Sequence, residues 1–171
     1  MNYHDITKCD MLNGDGLRVV LWVSGCSHHC KGCQNPQTWE ENSGIPFDEK
    51  SKQELIEALK PDYINGITFS GGDPLCLSHR REIICLIKEL KNLFPTKTIW
   101  LYTGFTFEEI INCWPEGKEI LSYLDVLVDG EFILEERDVN LQWVGSPNQR
   151  VIDVQRTLRS EEHTSELQSR I

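Results

Sequence analysis

Three thiols fall within eight residues, Cys26, Cys30 and Cys33 of the stretch VSGCSHHCKGC, with His28 and His29 between them. Thiolates bind soft metals, and so dense a set admits three assignments. A structural zinc site would join the three cysteines to one histidine. Zinc fingers and ribbons split their ligands into two separated pairs, however, and four ligands in so short a stretch would be cramped. Ordinary buried thiols are the second assignment, but Gly25, Gly32 and their polar neighbours make a poor core. The third is an iron–sulfur cluster. A four-iron cluster normally takes four cysteines, so three leave one iron open to a small molecule. This assignment fits the spacing best, and it makes His28 and His29 loop residues beside the cluster rather than ligands.

A second stretch, SGGDP at Ser70–Pro74, can also do chemistry. Glycine lets backbone approach a ligand closely, and backbone groups or the Asp73 carboxylate can receive an ammonium group. Alone, Gly-Gly-Asp is usually a turn. Its place after a strand, and after the cysteine loop, gives it weight. Cys76 follows closely and reads as a packed thiol; Cys85 falls on an apolar helix face and reads as core; Cys9 and Cys113 carry no motif.

The elements that must position these residues alternate. Arg18–Ser24 is β-branched and aromatic and reads as a buried strand, with the cysteine loop directly after it. Asp48 caps a helix striped by Leu55, Ile56 and Leu59 and stopped by Pro61. Gly66–Ser70 is a second strand, and a helix from Ser78 to about Phe94 follows SGGDP. KTIWLYT is a third strand. Thr106 and Glu109 have the form of a capping box for a short helix. YLDVLVDG is a fourth strand, and Gln149–Val154 is a candidate fifth.

This order predicts an α/β fold with a mainly parallel sheet and helical crossovers. An eight-stranded barrel needs about 250 residues, more than the 171 present, so the expectation is a partial, open (β/α) barrel. Each special loop follows a strand: the cysteine loop, Gly71–Pro74, Thr103–Gly104 and Asp129–Gly130. Loops after parallel strands emerge on one face, where ligands bind. The four should therefore converge.

Composition bounds the partners. Charged residues make up 26% of the chain and apolar ones 39%, and the formal net charge is -10. With no basic surplus to neutralise phosphates, nucleic acid is excluded as the main partner. The longest apolar run, VVLWV, is far short of the about 20 residues that span a membrane. The start, MNYHDITKCD, lacks a basic region followed by an apolar one, so no signal peptide is expected. A leaderless chain stays in the reducing cytoplasm, where seven cysteines read as free thiols or metal ligands.

The end of the chain is different. RSEEHTSELQS, Arg159–Ser169, has no apolar period and resembles the in-frame translation of a widely used sequencing-library adapter. The expectation is one domain over residues 1–158, with 159–171 a non-native, disordered tail.

C-x3-C-x2-C with an open iron resembles the radical S-adenosylmethionine (SAM) superfamily. That resemblance implies a [4Fe-4S] cluster on Cys26, Cys30 and Cys33, with the amino and carboxylate groups of SAM on the fourth iron. It implies reductive cleavage of SAM to methionine and a 5′-deoxyadenosyl radical. SAM contacts are then expected from Gly71, Gly72 and Asp73, and from Gly32, Cys33 and Gln34. The position before the third cysteine is often aromatic in the superfamily. Here it is Gly32, so adenine is expected to rest on backbone.

Further segments narrow the resemblance. NGDGLR, GCSHHCKGCQNPQTW, GITFSGGDPL, IWLYTG, DVLVDGEF and NQRVIDV are together similar to the activating proteins of anaerobic (class III) ribonucleotide reductase, in order from about Asn2 to Leu158. The resemblance implies hydrogen abstraction from a backbone glycine of the reductase partner, with a low-potential electron donor such as flavodoxin. It also makes Asp129–Phe132 a candidate rim for the incoming loop, and Asp129 a candidate ligand of a monovalent cation beside SAM. The alternatives are an activator of another glycyl-radical enzyme, such as pyruvate formate-lyase, or a non-catalytic iron–sulfur electron carrier. Length disfavours the first, and SGGDP disfavours the second.

Overall fold

The computed structural model describes residues 1–161. Its core is a seven-stranded sheet in the order β3-β1-β2-β4-β5-β6-β7. The four central strands, β2 (Arg18–Val23), β4 (Gly66–Gly71), β5 (Thr98–Tyr102) and β6 (Val126–Asp129), run parallel. Both edges are antiparallel. On one side lie β1 (Asn2–Asp10) and the two-residue β3 (Ile45–Pro46); on the other lies β7 (Arg150–Asp153). The fold is thus mixed α/β with a parallel centre, and the expectation of crossovers holds there.

Alternation within the central strands explains the layers. Val19, Leu21, Val23, Ile67, Phe69, Ile99, Leu101 and Leu127 face the helices and join one core cluster. Helix α1 (Glu49–Leu59) contributes Leu55 and Leu59. Helix α2 (Arg80–Leu93) contributes Ile83, Ile84, Ile87 and Leu90. The short helices α3 (Phe107–Cys113) and α4 (Gly117–Tyr123) add Phe107, Ile110, Ile120 and Leu121. Residues of opposite parity, Trp100, Val126 and Val128, pack with Tyr102, Trp143, Val144 and Val151 as a second cluster. Burial on both faces is what a parallel sheet requires.

The expected caps form. Asp48 accepts from the Ser51 amide at the start of α1, and Thr106 with Glu109 makes a complete capping box on α3. Among the strands and α-helices, four escape the sequence reading: β1, β3, α4 and the C-terminal helix α5 (Val154–Glu161). β1 has only Tyr3 and Ile6 buried among its hydrophobic residues, so it carries no apolar stripe and is held by its backbone ladder to β2. The strand ends also differ slightly. β2 stops at Val23 and β6 starts at Val126, because backbone pairing rather than residue type sets the limits.

Cys85 is a correction. Expected in the core, it is exposed, because the sheet-facing stripe of α2 is Ile83, Ile84, Ile87 and Leu90, and Cys85 points away from it. Cys76 is buried as expected, and Cys9 and Cys113 are exposed. At the C-terminus, helix α5 (Val154–Glu161) passes Leu158 without a break, so the first residues of the expected tail are helical. The rest of that expectation lies outside the described residues. No described helix is long and apolar enough to cross a membrane.

Candidate iron–sulfur site

The cysteine loop leaves β2 and turns back over the strand ends. Its start is pinned twice by the returning segment: the Gly25 amide donates to Thr38 O (2.7 Å) and the Cys26 amide to Trp39 O (3.0 Å). A 3-10 turn at Pro36–Thr38 brings that segment back. The His29 ring stacks on Trp39, with centroids 4.6 Å apart, and His29 itself takes a left-handed backbone (φ 49°). Such a conformation in a non-glycine residue is uncommon and marks a loop held by its surroundings.

All three thiols are half-buried and free, and each meets backbone N–H groups. The amides of His28 and His29 lie against the Cys26 sulfur, and that of Phe132 against Cys30. The Asn35 amide donates to Cys33 Sγ at 3.3 Å. Burial outweighs these donors at Cys26, whose thiol is pushed up to about 11, and it also raises Cys30. Metal binding must therefore displace protons. Amides aimed at sulfur stabilise thiolate and are a standard means of tuning iron–sulfur clusters, so the residues present fit such a cluster. Among the described residues, no three His, Cys, Asp or Glu side chains close around a point suited to a single metal ion.

The loop after β4 packs directly on the cysteine loop. The Gly72 amide donates to Val23 O and the Asp73 amide to Gly25 O, both at 2.8 Å. A Cβ on Gly72 would stand 2.4 Å from Gly25 O, and one on Gly71 would stand 2.6 Å from the Val23 backbone at φ +106°. These glycines are therefore required where the end of β4 and its loop press on the end of β2 and the cysteine loop, a contact that the sequence pattern does not reveal.

Asp73 is almost wholly buried (1% exposed). Its carboxylate accepts from the Leu75 amide, the Thr103 hydroxyl and the Gly104 amide, each at 2.9 Å. Its side chain thus joins the β4 and β5 loops, while its carbonyl receives His79 Nε2 at 2.7 Å. On the remaining side stands His28. His28 Nε2 is 2.8 Å from Asp73 Oδ2, close in distance but off-line for a hydrogen bond, and Nδ1 is 2.7 Å from Glu131 Oε1. The Asp73 carboxylate, with help from Glu131 and against burial, raises the imidazole to about 9. Sequence reasoning had only placed His28 near the cluster; its separation from Asp73 and Glu131 along the chain hid the bridge.

Asp129 is likewise buried, at 1% exposure. It accepts from the Phe107 amide (2.8 Å) and pairs with Arg150, whose Nε lies 3.0 Å from Oδ1. Arg150 also makes a two-pronged contact with Glu108. A guanidinium therefore already neutralises the carboxylate that had been a candidate cation ligand.

Between these groups lies an open cleft of about 710 Å³, lined by Ser27, His28, Gly104, Asp129, Glu131 and Arg150 among others. The loops after β2, β5 and β6 all reach it, and Asp73 links the β4 loop to it through Gly104 and His28. The four loops singled out by sequence do converge. Gly32 and Gln34 are exposed on the outer turn of the cysteine loop.

Three clustered thiols at the carboxyl end of a parallel sheet suit a single iron–sulfur cluster. The 4Fe-4S single cluster domain family matches residues 12–152. Relatives carry a narrower name, anaerobic ribonucleoside-triphosphate reductase-activating protein. That of Enterobacteria phage T4 is 44% identical over 153 residues, covering 88% of this chain and 93% of the relative. That of Vibrio cholerae is 42% identical over 151 residues (87% and 96%), and that of Escherichia coli K12 is 39% identical over 153 (88% and 97%). The chain belongs to the anaerobic ribonucleoside-triphosphate reductase-activating protein family.

Proposed function

We propose that the chain is a radical SAM activase that generates a glycyl radical on an anaerobic ribonucleotide reductase. The observation that carries this reading is the packing of the SGGDP loop directly on the cysteine loop, beside an open cleft that the loops after β2, β5 and β6 line. Its volume is in the range of small-molecule sites, about 300–1,000 Å³. Cys26, Cys30 and Cys33 would hold a [4Fe-4S] cluster, which, with SAM bound, supplies reductive sulfonium cleavage and a radical able to take a hydrogen atom.

The chain's own residues do the positioning. Gly71 and Gly72 would face the methionine end of SAM, while Gly32, Cys33 and Gln34 would meet adenine. The Asp73 carboxylate is already saturated, so its part is to hold Gly104 and His28 in place rather than to grip the ammonium. We read the parallel centre as part of an open barrel, which would leave one side free for a peptide loop of the reductase. Binding of that loop would exclude water and hold the glycine near the reacting carbon.

The test is anaerobic incubation of reconstituted protein with SAM, the reductase and dithionite or flavodoxin as electron donor, read by electron paramagnetic resonance. A doublet that collapses to a singlet when the glycine is deuterated is expected. SAM cleavage with a radical on a different glycyl-radical enzyme would move the chain to that activator class. No cleavage by protein with an intact cluster would refute the enzyme reading.

A further inference from the structure

One segment that borders the cleft also grips the cysteine loop. Residues 130–136, after β6, run alongside residues 27–33. Glu131 Oε1 meets His28 Nδ1 at 2.7 Å. The Phe132 amide lies against the Cys30 sulfur. Leu134 packs on Gly32 so closely that a Cβ there would stand 2.7 Å from its Cδ1. Lys31 and Glu135 pair at 3.6 Å.

The segment is itself held from behind. Asn148 Nδ2 donates to Glu131 O (2.7 Å), and the Ile133 amide donates to Ser146 Oγ (3.1 Å). The Phe132 ring covers Gly145, where a Cβ would meet it at 2.8 Å.

These contacts are unequal. Lys31 and Glu135 are 80% and 68% exposed, and such pairs contribute little. The His28 side chain is 9% exposed and lies between two carboxylates on different loops. Gly104 closes over it, since a Cβ there would stand 2.6 Å from the His28 ring, and Phe105 packs edge-on at 4.5 Å. The ring is therefore enclosed on both sides, hydrogen-bonded to Glu131 through Nδ1 and set 2.8 Å from Asp73 through Nε2.

We propose that residues 130–136 form a positioning clamp on the cysteine loop, locked by His28, which joins Glu131 of the clamp to Asp73 of the loop after β4. One consequence rests on the cluster reading. The clamp holds the Phe132 amide beside the Cys30 sulfur, and a backbone dipole directed at a cluster thiolate favours the more negative, reduced state. Releasing the clamp should therefore lower the reduction potential.

The test uses the full chain with His28→Ala, Glu131→Gln and the double variant, by amide hydrogen exchange on reconstituted and metal-free protein. Exchange in both 27–33 and 130–136 is expected to quicken about tenfold in His28→Ala. It should quicken less in Glu131→Gln, and β4 should be unchanged. The double variant should exchange no faster than His28→Ala, since both changes open one latch. Glu131 is 56% exposed, so its variant folds even if His28→Ala does not. In the reconstituted variants the potential should fall. Unchanged exchange in both forms, full additivity, or quickening of 27–33 without 130–136 would overturn the clamp. Failure of wild-type protein to assemble a cluster would instead refute the cluster reading and leave the metal-free exchange result standing.

Discussion

At the scale of single residues, the three thiols are distinguished from Cys9, Cys85 and Cys113 by what surrounds them. Cys26, Cys30 and Cys33 each have an amide at sulfur, whereas Cys9, Cys85 and Cys113 are exposed without a motif. Replacing any one of the first three by Ala should abolish a full cluster, as measured by iron content and visible absorbance after anaerobic reconstitution. Ala at Cys9, Cys85 or Cys113 should leave both unchanged. A full cluster surviving a change at Cys26, Cys30 or Cys33 would sink the assignment. The spacing of these three was open to sequence reasoning because all lie in one loop. His28 was not, since its partners stand 45 and 103 residues away along the chain.

At the scale of elements, one buried cation holds the amino ends of three strands. Arg18 is fully buried, and its donors all go to neutral oxygens: Thr68 Oγ1, Ile67 O, Asp15 O, and Thr98 O and Oγ1, at 2.8–3.1 Å. Burial pushes its guanidinium down to about 10. It ties β2 to β4 and β5 and fixes the 10–17 loop against them. Arg18→Met would keep much of the volume but strand those acceptors, a loss on the order of 3 kcal/mol. Urea unfolding should show it as a lower midpoint with an unchanged slope; a midpoint within error of wild type would refute the role. In sequence, Arg18 reads only as the first residue of an apolar strand. Its burial follows from the neighbouring strands and from nothing local.

For the whole molecule, the far edge of the sheet is closed by charge. Arg150 of β7 joins Asp129 of β6 and Glu108 of α3, so strand, strand and helix share one guanidinium. Arg150 holds the Glu108 carboxyl below its usual range. A depressed carboxylate contributes stability above its unfolded pKa, and that contribution is lost as pH falls through the lowered folded value. The stability gap between wild type and Glu108→Gln should therefore be full at pH 7 and close in acid below the ordinary glutamate range, as followed by urea midpoints at several pH values. A gap that widened toward acid would contradict the pairing. Arg150→Ala should cost more, about 3–5 kcal/mol, because it leaves Asp129 buried without its cation.

The sequence by itself determined the alternating α/β order, the caps at Asp48 and Thr106, the three-thiol loop and the convergence of four loops on one face. Each depends on local pattern or on the rule that loops after parallel strands share a side. Only the tertiary structure decided that β1 and β7 run antiparallel at the edges, that Cys85 faces out, and that Gly71 and Gly72 are required by the close approach of β2 and the cysteine loop. It alone joined His28 to Asp73 and Glu131, and Asp129 to Arg150. These pairings link residues far apart in the chain, and no period or motif records them, because charge partners and edge-strand hydrogen bonds are chosen by proximity after the sheet has formed.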